Sequence, residues 1–313
     1  PPCSSFTTAG GMNMIGVCAG TFDMGCSAGQ ADCDGALAPG HSVTLTRDFW
    51  LGETEVTQAQ WSALMGNNPS FFPMCDDCPV EGVSWWGALS FANAMSAAEG
   101  LTECYLLSGC VNTAGTGLEC TGLALTSPEP NVYACDGYRL PTEAEWEFAA
   151  RGGEDLQYSG STDLDAVGWY EDNSGMEPHG VAGKAPNGYG LFDMSGNVLE
   201  WVQDRMDNGY YAVSPATDPA GPGGGPGEGR SLRGGAFDES AGDASVSHRD
   251  GYGPGATDPN LGFRLARTAV AAEIPSRILL RGSPGSGTSY FSLETDGSGV
   301  ATVVSSPVGL DGG

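Results

Sequence analysis

Tyr138-Arg-Leu-Pro-Thr-Glu-Ala-Glu-Trp-Glu-Phe-Ala-Ala-Arg-Gly-Gly153 decides how the rest of the chain is read. Thr142 followed three residues later by Glu145 is a capping box, in which each side chain satisfies a backbone N–H that the first turn leaves open. The helix it opens, Glu143–Arg151, is stopped by Gly152-Gly153. Glu143, Glu145 and Glu147 stand two residues apart and leave the helix on different faces, which argues against a catalytic carboxylate pair. Upstream, Thr57 and Gln60 form the same device for a helix over 58–65 with Trp61, Leu64 and Met65 on one face. Ser84 caps another, with Trp85, Leu89, Ala92 and Met95 inward and Gly100 as its stop. Residues 12–25 predict short strands and a turn, and 41–50 predict one strand. Downstream, periodic segments are few until residue 268, and the Gly- and Pro-rich run 218–229 reads as an exposed loop. Residues 288–295 and 300–304, joined by Asp296-Gly-Ser-Gly299, predict an appended β-hairpin.

Composition sets the frame for function. The 313 residues carry 39 Asp+Glu against 12 Lys+Arg, a formal charge of −27, and Lys184 is the single lysine. Such a chain cannot neutralise a polyanion, so nucleic acid and anionic lipid are excluded as partners. Fifty glycines and only 16% charged residues predict a turn-rich fold, while 40% hydrophobic residues with seven Trp require a packed globule. The ten cysteines, Cys3, Cys18, Cys26, Cys33, Cys75, Cys78, Cys104, Cys110, Cys120 and Cys135, all lie in the first 135 residues. Cys75-Asp-Asp-Cys78 has no second pair at zinc spacing, and His41, His179 and His248 are scattered, so disulfides are the expected use. Disulfides place the protein outside a reducing cytoplasm: secreted, extracellular or at the cell surface, with the periplasm also open. A start at Pro1 without Met fits a processed export signal. Nearness in sequence favours pairing Cys26 with Cys33 and Cys120 with Cys135, and a Cys75–Cys78 loop. Residues 104–135, poor in charge, read as a disulfide-pinned insertion, and no run of 18 apolar residues spans a membrane.

Four motifs in order carry a resemblance. They are Gly20-Thr-Phe-Asp-Met-Gly25; Glu53-Thr-Glu-Val-Thr-Gln58 with Val80-Glu-Gly-Val-Ser-Trp85; the segment Tyr138–Gly153; and Asn187-Gly-Tyr-Gly-Leu-Phe-Asp-Met-Ser-Gly-Asn-Val-Leu-Glu-Trp201. Arg233-Gly-Gly235 and Leu261-Gly-Phe-Arg264 close the set. Together they resemble the formylglycine-generating enzyme (sulfatase-modifying factor) family. The resemblance implies an α+β, irregular and loop-rich variant of the C-type lectin fold over residues 12–267. An N-terminal arm, 1–11, and a β-rich tail, 268–313, lie outside it.

The resemblance also implies copper held by two thiolates five residues apart, between the Arg-Gly-Gly and Gly-Phe-Arg motifs. Those positions are Glu239 and Ala244 here, and no cysteine follows Cys135. Copper(I) requires soft sulfur ligands, so no copper and no catalytic residue is expected. The iron-dependent branch of the family, with its several histidines, does not fit three scattered ones. A structural calcium is expected, held by the Asp193 side chain, the Gly196 and Val198 carbonyls and the Glu200 side chain, all hard oxygens. The family's other calcium site, near Asp165 to Asp172, has no clear match. Arg139, Arg233 and Arg264 are expected to pair with buried acids, and Trp146 and Trp201 to be core. By analogy with the fold, a ligand face would draw on Trp169, Tyr170, Tyr210, Tyr211, Phe237, Asp238, His248, Arg249 and Tyr252. The expected function is a secreted, non-catalytic recognition or adhesion protein that displays loops to a protein or glycan ligand on a calcium-braced scaffold. The alternative is a structural subunit of an extracellular filament or surface assembly, joined to copies of itself through its terminal segments. A copper-dependent oxidase is disfavoured.

Overall fold

A computed structural model describes residues 2–27, 30, 40–73, 75–127, 131–269, 291–295 and 301–305, and divides the chain into a unit ending at Ala269 and one starting at Val270. The capped helices form where the local signals place them. They are α1 (Gln58–Met65), α2 (Trp85–Ala98) and α3 (Glu143–Arg151), and both capping boxes are closed in both directions. A further short helix, α4, covers Leu164–Val167.

Two four-stranded sheets frame these helices. One runs in the order β1 (Pro2–Thr7), β2 (Asn13–Val17), β5 (Phe49–Gly52), β12 (Ala266–Thr268). The other runs β10 (Asp250–Tyr252), β9 (Arg230–Arg233), β8 (Leu199–Arg205), β11 (Leu261–Gly262), with β11 parallel to β8. Hairpins β3 (Gly20–Met24) with β4 (His41–Leu45) and β6 (Tyr105–Ser108) with β7 (Gly122–Leu125) complete the unit. The C-terminal unit holds an antiparallel pair, β13 (Phe291–Thr295) and β14 (Ala301–Ser305), in register Leu293↔Val303. The loop-rich α+β fold expected from sequence is the one observed.

Two sequence expectations change. The single strand expected over 41–50 is two, β4 and β5, each in a different sheet. At the break Asp218 takes the Thr46 N–H at 2.8 Å and pairs with Arg47, removing the donor that a continued ladder would use. Residues 2–7, read as part of a separate arm, run along β2 as an edge strand. The Trp50 indole N–H donates to the Ser4 carbonyl at 2.7 Å, and Phe6 meets the Trp50 ring edge-on at 5.1 Å.

The disulfides among the described residues are Cys3–Cys18, Cys75–Cys78, Cys104–Cys135 and Cys110–Cys120. The pairing of Cys120 with Cys135 is therefore corrected. Folding 104–135 back as the β6–β7 hairpin brings Cys110 opposite Cys120 near its tip and Cys104 to Cys135 at its base, which nearness in sequence could not reveal. Cys26 is disulfide-bonded, and Cys33, its expected partner, lies outside the described residues. Replacing Cys110 and Cys120 by Ser should cost at most about 3 kcal/mol, the loop-closure value for a short ring. A chemical-denaturation curve checks this.

The core has two main parts. One gathers α1 and α2 around Trp61, Trp85, Phe91 and Phe263; the other gathers α3 and the β2–β5 strands around Phe49, Trp146 and Val202. Trp85 donates to the Val202 carbonyl and Trp201 to that of Val83, at 2.9 and 2.8 Å, so two fully buried indoles tie α2 to β8. Trp146 and Trp201 are wholly buried, as their motif positions predict. α3 buries all three of its glutamates, each on an arginine: Glu143 on Arg249, Glu145 on Arg139, Glu147 on Arg233 and Arg151.

Asp204 adds a buried acid without a cation of its own. Its Oδ2 accepts the Glu143 N–H at 2.9 Å, and burial followed by the charge of Glu143 pushes its carboxyl up to about 8. An acid whose folded value lies above its unfolded value of about 4 holds its proton longer in the native state. Its contribution to stability is thus complete below about pH 4 and is lost as pH rises through about 8. Asp204→Asn keeps an acceptor for the Glu143 N–H and should flatten that decline. Between about pH 5 and pH 8 the variant's melting temperature should fall measurably less than the wild type's. Equal slopes in circular-dichroism melts would refute the assignment.

Candidate functional site

The segment Leu191–Trp201 turns sharply before entering β8, and its residues explain how. Asp193 and Asn197 both adopt left-handed backbone, φ 56° and 65°, which short polar side chains tolerate better than most. Between them Gly196, at φ 85°, passes so close to Trp169 that a Cβ would lie 2.2 Å from its carbonyl oxygen. Backbone of this kind, gathered in one turn, is a usual property of ligand clamps.

Around this turn lies a buried charge cluster. Glu200 is held by the Arg264 guanidinium at 2.7 Å and by the Trp146 indole at 2.8 Å, with all three side chains fully buried. Arg264 also donates to the carbonyls of Gly52 and Phe192, both at 3.0 Å. Asp193 and Glu55 share this environment. Asp193 Oδ2 takes the Ala182 N–H at 2.7 Å, while its Oδ1 and Glu55 Oε1 are buried without a partner. Burial is the main cause that pushes Asp193 up to about 6 and Glu55 well above the carboxylate range; Asp193 raises Glu55 further, and Glu200 raises both.

Of the expected oxygen set, Glu200 has both oxygens hydrogen-bonded, to Arg264 and Trp146, because a guanidinium fork matches a carboxylate edge-on; an oxygen so bonded keeps a lone pair that can still meet a cation. The open buried carboxylate oxygens belong to Asp193 and to Glu55, which the sequence reading did not single out. No hydrogen bond among the described residues ends on the carbonyls of Gly196 or Val198. Three buried acids beside one arginine supply hard oxygens of the kind a divalent cation takes. Elsewhere, Cys75, Asp77 and Cys78 bring their side chains within 4.8 Å of one another, but the two sulfurs are joined as a disulfide and offer no thiolate.

The ligand-face residues divide. Trp169 is half-buried, stacked on His179 at 3.8 Å with Lys184 Nζ 4.0 Å from its ring centroid. Ser174 Oγ donates to the Phe237 carbonyl at 2.6 Å and Glu171 N–H to that of Glu239 at 3.0 Å, so the loop bearing Trp169 and Tyr170 lies against the one bearing Phe237 and Asp238. Tyr252 is 39% exposed, and His248, half-buried, is 3.6 Å from Asp243. Phe237, Tyr210, Tyr211 and Arg249 are buried and do not belong to a displayed surface. Arg249 grips Glu143 and lies 4.3 Å from the Tyr211 ring centroid, since a cation in so acidic a protein is drawn to the buried carboxylate.

Missed by the sequence reading are the residues that do stand out. Phe72 meets Phe237 edge-on at 5.6 Å, bringing the 68–78 loop to the same face. Phe71, 63% exposed, and Pro73 lie there with Glu177, Pro178 and the Cys75–Cys78 disulfide around a groove of about 520 Å³; Met176, next to Glu177, is 56% exposed. The signal was present in Asn68-Pro-Ser-Phe-Phe-Pro73: two aromatics between prolines fit neither helix nor strand, and so must sit in a surface loop.

Residues 4–269 match the sulfatase-modifying factor enzyme 1-like domain. The chain belongs to this family. It is 33% identical over 247 residues to the chaperone protein LppX of Paenibacillus barcinonensis, covering 72% of this chain and 82% of that one. It is 32% identical over 293 residues to the formylglycine-generating enzyme of Streptomyces coelicolor, with coverage of 80% and 87%. Among solved structures, Treponema denticola variable protein 1 superposes with a TM-score of 0.69 at 34% identity, over 85% of this chain and 99% of that one.

Within this sulfatase-modifying factor frame, Glu239 and Ala244 occupy the positions where the resemblance places thiolates. Ala244 is fully buried, its backbone against Gly235. Glu239 Oε2 is buried with no partner, and burial together with Asp243, Asp250 and Asp238 pushes its carboxyl up to about 8. A neutral acid surrounded by carboxylates is a poor home for a soft cation.

Proposed function

We propose that this member of the sulfatase-modifying factor family is an extracytoplasmic recognition protein that does not carry out copper oxidation. The observation that supports it best is the pair Glu239 and Ala244 in an otherwise retained frame, with the chain's last cysteine at Cys135. What the frame displays instead is the apolar face of Phe71, Pro73 and Met176, rimmed by Asp76, Asp77 and Glu177. Exposed apolar side chains ringed by charge are the usual anatomy of a protein-binding surface. A relative that the chain covers by 82% carries the name of a chaperone protein, which agrees with work on a partner. The disulfides agree with an oxidising exterior, and no helix among the described residues is long and apolar enough to cross a membrane.

The labelled protein should bind members of an array of secreted proteins and glycans. Phe71→Ser with Met176→Ser should abolish that binding and shift the melting temperature by no more than about 1–2 °C, since both side chains are exposed. Copper-dependent oxygen consumption with a cysteine-containing peptide would overturn the reading.

The same proposal includes a calcium ion at the Asp193 turn, held by Asp193, the carbonyls of Gly196 and Val198, and Glu200, with Glu55 as a further buried carboxylate beside them. The ion would neutralise buried acids and fix the turn. At a hundredfold excess over its dissociation constant, calcium should stabilise by about 2.7 kcal/mol, or roughly 5–10 °C for a unit of this size. Asp193→Ala should remove the shift. Identical melts in calcium and in chelator would reject the ion.

A further inference from the structure

A cavity that shares no lining residue with the recognition face lies at the C-terminal end of α3. It measures about 630 Å³ and is walled by Phe22 of β3, Phe148 of α3 and Tyr189. Phe148 is the floor: Phe22 meets it at 5.2 Å with ring planes 49° apart, and Tyr189 at 6.1 Å and 63°. Phe22 and Tyr189 are each inclined to the buried Phe148, and both are themselves part-exposed, so the box corner they form presents aromatic surface to the cavity. Gly20 keeps the box open, because a Cβ there would sit 2.9 Å from Phe148 Cζ.

The charges around the box have one sign. Asp23, Glu154 and Asp155 line it and are exposed, in a protein of net charge −27. The guanidinium in the lining, Arg151, is committed to Glu147 at 2.7 Å, Asp155 at 3.1 Å, Ser27 at 3.2 Å and the Gly25 carbonyl. Aromatic faces attract cations through their quadrupole, and the attraction strengthens as the cation sheds water. A small ammonium is hydrated too strongly to enter such a lining, whereas a methylated one presents an apolar shell over its charge.

From this geometry we propose that the cavity is a binding site for a quaternary ammonium group, of the kind carried by choline, betaines or trimethylated amines. The rings of Phe22, Phe148 and Tyr189 contact the methyl groups, and Asp23 and Glu154 supply long-range attraction. The site uses none of the recognition face, so either assignment can fail alone.

The test is titration of the whole protein with choline, followed by ligand-detected NMR, against its uncharged isostere in which a tert-butyl group replaces the trimethylammonium. Choline should bind at least about tenfold more tightly than the isostere, because only the charged form gains the cation–π term. Phe22→Ala should weaken choline binding by a similar factor, and Asp23→Asn with Glu154→Gln should weaken it mainly at low salt. Equal affinity for the two compounds would reduce the cavity to an apolar hole and overturn the proposal. So would absence of choline binding to the wild type. The isostere comparison is made on the unaltered protein, so it holds even if the Phe22 variant misfolds.

Discussion

Arg264→Met should lower the melting temperature of the main unit by about 10 °C or prevent folding. Truncating one member of a fully buried ion pair costs on the order of 3–5 kcal/mol, and 1 kcal/mol is worth about 2–4 °C at this size. The loss is large here because Arg264 serves several groups. It holds Glu200 by several hydrogen bonds, and it donates to the carbonyls of Gly52 and Phe192. It also faces Asp193 and Glu55, whose carboxyls rise in pKa despite it. Without it, three carboxylates share one dry pocket. Calcium should therefore recover part of the lost stability in the variant if the ion binds at this turn. A drop of less than about 3 °C would mean that the cluster is already neutralised by protonation.

Arg233→Met is the second large effect, of similar size but with a local signature. Arg233 is fully buried, pairs with Glu147, and donates to the carbonyls of Val246, Ser247 and His248. It is the fastening between α3 and the loop that follows Glu239. Its removal leaves three carbonyls and Glu147 Oε2 in need of donors. Hydrogen exchange should rise first over 244–250, before the cooperative melt, and binding at the recognition face should weaken even where the fold survives. Uniform exchange across the chain would mean that the arginine stabilises only globally.

What the sequence disclosed about the fold was local. Thr57, Ser84 and Thr142 each cap a helix through a residue three positions on, and the structure forms all three bonds. The Gly- and Pro-rich composition announced long irregular stretches for the same reason: backbone preference is written residue by residue. The assignments that required knowing which distant segments meet did less well. Cys104 finds Cys135, and Cys110 finds Cys120, only because the intervening chain folds into a hairpin. The expectation that Arg139, Arg233 and Arg264 pair with buried acids holds, and sequence could not say which acids. Glu200 was read as a metal ligand from its motif, and nothing in the sequence announced that Arg264, 64 residues away, would hydrogen-bond both its oxygens. Arg249 was placed on a displayed face by analogy with the fold, and its charge is what buries it against Glu143.

Seven arginines, Arg139, Arg151, Arg230, Arg233, Arg249, Arg264 and Arg267, are buried, which leaves Arg47, Lys184 and Arg205 as the basic side chains open to solvent among the described residues. Trypsin-like proteases cut after exposed basic residues in segments that can be drawn into an extended form. The arrangement that neutralises the interior thus hides most cleavage points inside it. The folded main unit should outlast its unfolded chain under trypsin-like digestion by far more than its bare count of arginines would suggest.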